Sequence, residues 1–440
     1  MKDSKKANTV ILKFPDFIRN NIVLKITSLN AVVISIRLIV SVIIQRLLAV
    51  TVGEAGIASI GQIRNILAML SSTSTLGTFS GLVKYVSEFK NNRPELTKVF
   101  STATVFLLLG AIISALVLFV GADYFTNYVF KSNEFTYVFK VLAIIVPFIA
   151  LSRVISGVVN GLSDYKKYAK IELISYLIAS VILVVGLYSY NLQGVIIAIV
   201  IAPIIQLITL VAIFGKTLTQ YVKLKNFKLQ LDYRKNLMAF TLMSFISAFL
   251  INYIELEIRT LVTDEININE AGYWTAITFI SKNYMVFATG LFTLYVLPRF
   301  ASIHGRLEFT REVLTIYKTI LPIFFIGMLL VYLSRNYIIQ LIYPNFTGME
   351  PLFKWQLLGD FIRLCALVLA YQFLAKKLVS SFVITELISL VLFYVLTKLF
   401  LNNYGTEGVV IAHFVRYAVY LIVVIIFVHL YYRKQSKINA

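Results

Sequence analysis

Residues Gly194–Gly215 read GVIIAIVIAPIIQLITLVAIFG, a stretch without a charged side chain. A helix rises about 1.5 Å per residue, so a run of about 20 apolar residues crosses the roughly 30 Å hydrocarbon core of a bilayer. The opening of this stretch returns later in the chain, where Gly408–Ala412 (GVVIA) resembles Gly194–Ala198 (GVIIA). The stretch therefore predicts a membrane-spanning helix and an internal duplication.

The composition extends this prediction to the whole chain. Of 440 residues, 59% are hydrophobic and 14% are charged, and the mean hydropathy is +0.83. Average soluble domains are about 45–50% apolar and about 25% charged. Such a chain has too little polar surface to coat a water-facing globule, so we expect the lipid bilayer to be its solvent. A lone cysteine, Cys365, excludes an internal disulfide framework.

The formal charge of +20 raises the question of a nucleic-acid partner. Lys and Arg collect in the terminal tails and in alternate short loops, whereas the intervening loops carry only Lys131 and Arg335. This distribution follows the positive-inside rule of membrane proteins, and a nucleic-acid groove would instead gather its charge on one soluble face. We therefore predict no nucleic-acid partner and place both termini in the cytoplasm. The N-terminal tail contributes Lys2, Lys5, Lys6, Lys13 and Arg19.

The lengths of the apolar runs predict an all-α integral membrane protein with twelve transmembrane helices. Because every basic loop must fall on one side, the number of helices between these loops has to be even, which agrees with twelve. Spans 1 to 12 are predicted at 22–50, 55–86, 98–120, 136–158, 168–189, 194–215, 236–262, 270–300, 311–334, 350–374, 379–400 and 407–430.

Several short segments recur in order at a nearly fixed offset in the numbering. Glu172–Ser175 returns as Glu386–Ser389, and Phe139-Lys140 returns as Phe353-Lys354, both at an offset of 214. Glu54–Gly56 returns as Glu270–Gly272 at an offset of 216. With six helices per repeat, both copies insert the same way up, so we predict two parallel lobes around a central cavity. The predicted divisions are an N-terminal lobe at 1–215, a basic cytoplasmic linker at 216–235 and a C-terminal lobe at 236–440.

We single out five of the basic residues inside the predicted spans; Lys25, Lys84 and Lys398 stand close to helix ends, where they can reach the interface. A cation at a helix centre costs about 2.5–3.5 kcal/mol on insertion scales, so each of these five requires a reason. They belong to spans 1, 2, 7, 8 and 10, and spans 1 and 2 correspond to spans 7 and 8 in the repeat. We therefore predict a water-filled cavity whose cations bind an anionic substrate. The candidate substrate-binding residues are Arg37, Arg64, Arg259, Lys282 and Arg363.

Internal neutralisation is the alternative explanation for these cations. Asp360 and Arg363 stand at i,i+3, and Glu255 and Arg259 stand at i,i+4, so each pair shares a helix face. The remaining cations, Arg37, Arg64 and Lys282, have no carboxylate within one turn and argue better for an anionic ligand. Asp360 and Glu255 are also candidates for ion coupling, with Asp360 the first choice, because burial and charged neighbours both shift carboxyl titration.

Nucleotide and metal chemistry find no support in the sequence. Gly215–Thr217 resembles the end of a phosphate-binding loop, but Leu210 occupies the position where that motif needs glycine. The histidines at 304, 413 and 429 show no metal-ligand spacing. We predict no cofactor, no metal and no catalytic residue, and transport driven by a proton, a sodium ion or the membrane potential.

Seven short segments carry a family resemblance, and Phe353–Asp360 is the most specific of them. In order they are Arg46–Gly56, Arg64-Asn65, Gly81–Val86, Glu270–Trp274, Tyr295–Pro298, Thr310–Val313 and Phe353–Asp360 (FKWQLLGD). Through them the sequence resembles the Wzx-type lipid-linked oligosaccharide flippases, which form the polysaccharide transport family of the multidrug/oligosaccharidyl-lipid/polysaccharide exporter superfamily. The likeness runs from about Lys25 to about Phe427 and extends to the lipid III flippases.

The resemblance implies a V-shaped twelve-helix protein of the bacterial inner membrane. Its expected activity is to move an undecaprenyl-diphosphate-linked glycan from the cytoplasmic to the periplasmic leaflet by alternating access, with the glycan polymerase and chain-length machinery as possible partners. The cavity positions of spans 1, 2, 7, 8 and 10 would then hold the diphosphate and the sugars. Lys282 stands where lipid III flippases are expected to carry an acidic residue, which favours an O-antigen repeat unit as the cargo.

Two other functions compete with this interpretation. A multidrug or cation antiporter of the same superfamily needs an acidic or apolar cavity, whereas unpaired cations outnumber carboxylates here. A membrane glycan polymerase or ligase needs a long periplasmic loop with catalytic residues. The longest predicted periplasmic loops, at 121–135 and 335–349, are short.

Overall fold

The computed structural model describes residues 22–162, 164–221, 231–303 and 305–438. The basic N-terminal tail, residues 222–230 of the predicted linker, and His304 lie outside these ranges. Within them every regular element is a helix. The prediction of an all-helical membrane protein is confirmed, and the boundaries predicted for the two lobes and their linker remain predictions.

Nine helices in the described ranges are long and apolar enough to cross a membrane. Two of them hold two spans each: Ile22–Thr73 breaks at Gly53 to give spans 1 and 2, and Tyr165–Tyr221 breaks at Tyr190 and Asn191 to give spans 5 and 6. Span 8 is built from Ile268–Leu291, Phe292–Val296 and Leu297–Ser302, which completes twelve spans. The others are Arg93–Val120 (span 3), Thr136–Gly161 (span 4), Arg234–Glu265 (span 7), Arg306–Leu333 (span 9), Leu352–Ala375 (span 10), Val379–Tyr404 (span 11) and Thr406–Ile438 (span 12).

Span 2 departs from the continuous helix predicted at 55–86. It ends at Thr73 and restarts as the helix Phe79–Phe89. In the intervening turn Gly77 adopts φ +68°, and the hydroxyls of Thr75 and Thr78 donate hydrogen bonds to backbone carbonyls. Because these hydroxyls offer the backbone local partners outside the helix, a Ser/Thr run followed by glycine favours such a break.

The two lobes reverse direction in the same way at matched positions. Between spans 5 and 6 Asn191 has φ +48°, and at the equivalent position of the repeat, between spans 11 and 12, Gly405 has φ +55°. The helices then touch closely: a Cβ on Gly194 would lie 2.1 Å from the Gly186 carbonyl oxygen, and a Cβ on Gly408 would lie 2.5 Å from that of Phe400. The repeated sequence therefore builds the same tight helical hairpin twice.

Large apolar side chains cover the outside of the helical bundle. An exposed apolar surface of this kind would be unstable in water and suits contact with lipid tails. Representative exposed residues of spans 3, 5, 9 and 12 are Ile112, Leu116, Val120, Val181, Val185, Ile323, Leu330, Ile422 and Ile425. The protein is thus a multi-pass membrane protein.

The lobes are cross-linked at the predicted periplasmic end. Arg46 of span 1 donates hydrogen bonds to the carbonyls of Leu341 and Gln340, which end the short helix Arg335–Ile342. Lys131 of the loop between spans 3 and 4 forms an ion pair with Asp264 of span 7, with 3.0 Å between nitrogen and oxygen. Each of these contacts joins one lobe to the other.

A third contact at this end involves Tyr128 of the short helix Ala122–Phe130. Its hydroxyl donates to the carboxylate of Glu257 in span 7 at 2.7 Å. Burial, followed by this hydrogen bond and the nearby negative charge, raises the pKa of the Tyr128 phenol. The phenol therefore remains a donor across the physiological pH range. At the opposite end, Tyr233 donates to Glu95 at 2.6 Å.

Candidate functional site

Arg64 lies on span 2 where the two lobes face each other. Its guanidinium carbon is 5.7 Å from the centre of the Phe279 ring on span 8. The side chain is half-buried and forms no ion pair with any residue that the structure describes. A partly exposed guanidinium without a counter-ion in a membrane protein can donate hydrogen bonds to an anionic ligand.

Arg37 is neutralised by a carboxylate of another helix. Its Nη1 donates to Glu172 Oε2 of span 5 at 3.1 Å, and its guanidinium lies 5.0 Å from the centre of the Tyr176 ring. Gln206 of span 6 donates to the other oxygen of Glu172 at 3.1 Å. The absence of a carboxylate, inferred from the sequence around Arg37, therefore holds only within its own helix. About 40% of its side-chain surface remains exposed, so it is still accessible to a ligand.

Arg259 is almost fully buried, with 2% of its surface exposed. Its Nε donates to Thr275 Oγ1 of span 8 at 2.7 Å, and its Nη1 donates to Gln62 Oε1 of span 2 at 3.3 Å. The guanidinium also lies 5.1 Å from the centre of the Trp274 ring. Arg259 thus ties spans 2, 7 and 8 together, and a ligand would have to displace these bonds to reach it.

A cavity of about 420 Å³ lies inside the C-terminal lobe, between spans 7, 8, 10, 11 and 12. Three of the residues predicted from the sequence line it: Glu255, Lys282 and Arg363. Lys282 Nζ donates to Glu255 Oε2 at 2.6 Å. Lys282 therefore has a carboxylate partner after all, on the neighbouring span, and Glu255 forms its ion pair with Lys282 instead of with Arg259.

Two arginines in this cavity have no carboxylate within ion-pair distance among the described residues. The guanidinium of Arg363 lies 5.5 Å from the centre of the Tyr417 ring, and that of Arg416 lies 4.1 Å from the Phe393 ring and 4.3 Å from the Tyr417 ring. Arg416 Nη2 donates to the Tyr417 hydroxyl at 2.5 Å. The alternative of an ion pair between Asp360 and Arg363 is not seen in the structure, where the carboxylate of Asp360 pairs with His413.

Asp360 is fully buried behind the cavity wall and its carboxylate is surrounded by donors. Its Oδ1 lies 3.0 Å from His413 Nε2, and its Oδ2 accepts from Ser281 at 2.5 Å, from Gln356 at 3.1 Å and from the hydroxyl of Tyr284. Because charge-assisted hydrogen bonds offset the loss of hydration, such a network keeps a carboxylate stable away from water. Spans 8, 10 and 12 meet at this point.

Glycine makes this network possible. A Cβ on Gly359 would lie 2.4 Å from His413 Cδ2, so any larger residue at this position would push the histidine ring away from Asp360. The Gly359-Asp360 pair that ends the segment FKWQLLGD therefore has a packing reason as well as a chemical one. Among the described residues, no three His, Cys, Asp or Glu side chains come together in an arrangement suited to a metal ion.

Residues 58–346 match a protein family described as polysaccharide biosynthesis protein. The chain belongs to this family. Among curated proteins, it is similar to the lipid III flippase of Escherichia coli (strain K12), with 26% identity over 392 residues, 86% of this chain and 91% of that one. The predicted family resemblance is confirmed.

Solved structures of transporters share the fold of this family member. An inward-facing multidrug resistance MATE family transporter of the MOP superfamily has a TM-score of 0.78 and 12% identity, over 92% of this chain and 96% of that one. The lipid II flippase MurJ in an inward closed conformation has a TM-score of 0.67 and 16% identity, over 91% of this chain and 87% of that one. At these identities the likeness defines the architecture, that of two bundles around a central cavity.

Sequence reasoning found part of this family member's polar interior and overlooked the rest. Glu172, His413 and Arg416 all lie in the interior, and none was among the predicted site residues. Arg416 stands in the middle of predicted span 12, so the test that found Arg363 would have found it as well. His413 has no metal-ligand spacing in the sequence, and only the structure shows that it lies against a carboxylate, that of Asp360.

Proposed function

We propose that the protein is a flippase that moves a polyprenyl-diphosphate-linked oligosaccharide from the cytoplasmic to the periplasmic leaflet by alternating access. The observation that carries this proposal is Arg64, a guanidinium without a counter-ion among the described residues, between two lobes of a polysaccharide-family chain. The curated relative is named for flipping a lipid-linked substrate, and the sequence of this chain follows it over nearly its whole length.

Arg64 and Arg37 are the residues that we assign to the diphosphate. Arginine presents paired N–H donors that match phosphate oxygens, and each such charge-assisted bond is worth about 1.5–3 kcal/mol. The guanidinium of Arg37 lies over the Tyr176 ring of span 5 and that of Arg64 over the Phe279 ring of span 8, and in this scheme the two cations bind one ligand. Arg259 takes a different role in this scheme: it holds spans 2, 7 and 8 together beside the site.

The glycan occupies the hydrated space next to the diphosphate, where Lys282 and Arg363 line the cavity of the C-terminal lobe. The prenyl tail stays in the lipid. The protein therefore replaces the hydration that the headgroup loses, which is the main barrier to crossing a bilayer.

Release toward the periplasm requires the lobes to separate at the end where Arg46, Lys131 and Tyr128 now join them. These contacts are few and polar, and the Lys131–Asp264 pair, which is about half exposed, contributes little on its own. A small set of weak bonds suits a gate, because alternating states have to differ by only a few kcal/mol.

Coupling to an ion is assigned to the C-terminal lobe. Asp360 and His413 form a buried pair that can exchange a proton with the cavity, and Glu255 is the second candidate through its pair with Lys282. A proton is the coupling ion that we assign to this pair, because a carboxylate and an imidazole 3.0 Å apart can bind a proton and pass it on.

The cavity chemistry argues against an antiporter of cationic drugs. Such a drug needs a free carboxylate, but Glu255 is paired with Lys282, and Glu386 accepts a hydrogen bond from Tyr420 at 2.6 Å. Asp360 is already surrounded by donors.

We place the protein in the bacterial inner membrane with both termini in the cytoplasm, and we expect it to work beside a glycan polymerase and its chain-length partner.

Removal of the protein from its native cell tests the proposed function directly. We expect a polyprenyl-diphosphate-linked glycan to accumulate in the cytoplasmic leaflet, measured by its protection from an impermeant lectin or periodate added to spheroplasts. Purified protein in liposomes should then restore access of the probe to the same lipid. A normal leaflet distribution after removal, together with no activity in liposomes, would contradict the proposal.

A further inference from the structure

The cavity of the C-terminal lobe holds more positive charge than its own carboxylates neutralise. Arg363 and Arg416 have no ion pair among the described residues. Arg416 is 8% exposed, and its Nε is buried without a hydrogen-bond partner in the described part of the chain. An unpaired buried guanidinium is expensive to maintain, so a group that fills this cavity and accepts hydrogen bonds would relieve it.

Every carboxylate that lines this cavity or its wall already has partners of its own. Glu255 is paired with Lys282, Glu386 accepts from Tyr420, and Asp360 is occupied by four donors. Apart from the Nη2 group that Arg416 donates to the Tyr417 hydroxyl, the donors of the two guanidiniums therefore remain available to an acidic group that enters the cavity.

The fold itself does not need these arginines. At the repeat offset in the numbering, Arg363 corresponds to Ile149 and Arg416 corresponds to Ala202 in the other lobe. Ile149 is buried at 3% exposure in the same helical arrangement. The two cations are therefore a feature of one lobe, added to a scaffold that forms without them.

The rest of the cavity wall resembles a carbohydrate site. Trp274, Phe393 and Tyr417 present aromatic rings, and Asn252, Thr278 and Ser389 present small polar groups. Aromatic faces with a few polar groups are typical of small-ligand pockets, which measure roughly 300–1,000 Å³. The volume of about 420 Å³ falls in this range.

We infer that this cavity binds a sugar that carries a carboxylate, as part of the glycan, with Arg363 and Arg416 donating to that carboxylate. The inference rests on the proposed function and refines it: the glycan is acidic, and its acidic residue is recognised apart from the diphosphate. A planar carboxylate matches the paired donors of a guanidinium, and stacking against the aromatic rings leaves the donor edges free.

A fluorescence titration tests the inference on the full-length protein in detergent. The chain has two tryptophans, Trp274 in the cavity wall and Trp355 outside it, so Trp355→Phe leaves Trp274 as the reporter. D-glucuronate is the probe, and D-glucose and pyrophosphate are the comparison ligands. We expect a saturable change in emission with glucuronate and none with glucose.

Variants assign the response to the two arginines. Arg416→Gln and Arg363→Gln should each raise the Kd for glucuronate by about tenfold or more, because each removes a charge-assisted contact. Arg153→Gln is the matched control: Arg153 is a partly buried arginine of the other lobe, stacked 4.1 Å from the centre of the Phe79 ring, and its replacement should leave the Kd unchanged. Thermal melting identifies any variant that fails to fold, and the second arginine then serves in its place.

The remaining outcomes overturn the inference. An equal response to glucose would mean that the carboxylate is not recognised, and tighter binding of pyrophosphate would assign the cavity to the carrier's diphosphate. Liposome flipping separates the two proposals. A protein that flips lipid-linked glycan but ignores glucuronate keeps the proposed function and loses this inference, whereas one that binds glucuronate but flips no lipid-linked glycan loses the proposed function.

Discussion

Spans 4 to 6 and spans 10 to 12 turn at the same points, yet they fill their interiors with different chemistry. At the repeat offset in the numbering, Gln356, Asp360 and His413 correspond to Leu142, Val146 and Ile199, and all of these residues are buried. The apolar set and the polar set therefore occupy equivalent places in one architecture. Since the N-terminal lobe packs without a polar network at these positions, packing alone does not explain the network of the C-terminal lobe, and we propose that it serves transport.

Replacing the polar interior of spans 10 and 12 by its apolar counterpart tests this difference between the lobes, and we expect it to have the largest effect. The variant Gln356→Leu/Asp360→Val/His413→Ile should fold, because apolar residues that replace a buried ion pair are often neutral or stabilising by about 1–4 kcal/mol. Flipping in liposomes should fall by roughly 100-fold or more, since two charge-assisted interactions of about 1.5–3 kcal/mol each are lost.

Thermal melting in detergent and flipping rate are measured on the same preparation. Ile149→Val, a conservative change in the interior of the other lobe, is the control and should leave the flipping rate near that of the wild type. If the exchanged variant flipped at the wild-type rate, the polar network would have no role in transport.

In the N-terminal lobe, replacement of Arg64 tests whether this residue contributes to flipping. Arg64→Ala should reduce flipping by about 10- to 100-fold, because a guanidinium that binds the diphosphate contributes about 1.5–3 kcal/mol. Arg153→Ala, which removes a partly buried arginine of the same lobe, should leave the rate within about twofold. Equal losses of flipping rate in both variants would show that removal of either arginine of this lobe impairs flipping, and the assignment of Arg64 to the diphosphate would fail.

The two hairpins allow a test in which the lobes should behave alike. Gly194→Ala and Gly408→Ala each place a methyl group against a backbone carbonyl, so we expect each to destabilise the protein by about 1–3 kcal/mol. Gly327→Ala on span 9 meets no atom within 4 Å and should be neutral or slightly stabilising. The melting temperatures of the three variants measure these effects. A large effect in one hairpin alone would contradict the structural equivalence of the two hairpins.

The smallest effect is expected at the predicted periplasmic end, where an ion pair joins the two lobes. Lys131 and Asp264 are 47% and 43% exposed, so their ion pair is worth about 0.2–1 kcal/mol. Lys131→Ala should shift the balance between lobe positions by less than about fivefold, measured by spin-label distances across the periplasmic end. A double-mutant cycle with Asp264→Ala isolates the pair, and a zero coupling energy would remove it from the gate.

The fold could be predicted from the sequence because the length of an apolar run determines whether a helix crosses the bilayer. The run Gly194–Gly215 could be predicted as a membrane-spanning helix without information about the helices around it. The sequence did not reveal the break after Thr73, because hydroxyl side chains are compatible with helix and turn alike. The positive φ angles of Leu76 and Gly77 show that this segment is a turn.

The site was harder to predict, because its pairs lie on different helices. Arg37 meets Glu172 across 135 positions, and Lys282 meets Glu255 across 27. Spacing rules within one helix could not reveal either partner, so both cations were interpreted as unpaired. Arg64 was interpreted in the same way, and it remains without an ion pair among the described residues because no described carboxylate packs against it.

The bonds around Asp360 also bear on how the chain enters the membrane. The ribosome delivers span 10 before span 12, so Asp360 enters the insertion channel ahead of its partner His413. An unpaired aspartate at a helix centre opposes insertion by about 2.5–3.5 kcal/mol. Span 10 should therefore remain beside the translocon until span 12 arrives. We expect the two spans to enter the lipid together and not one after the other.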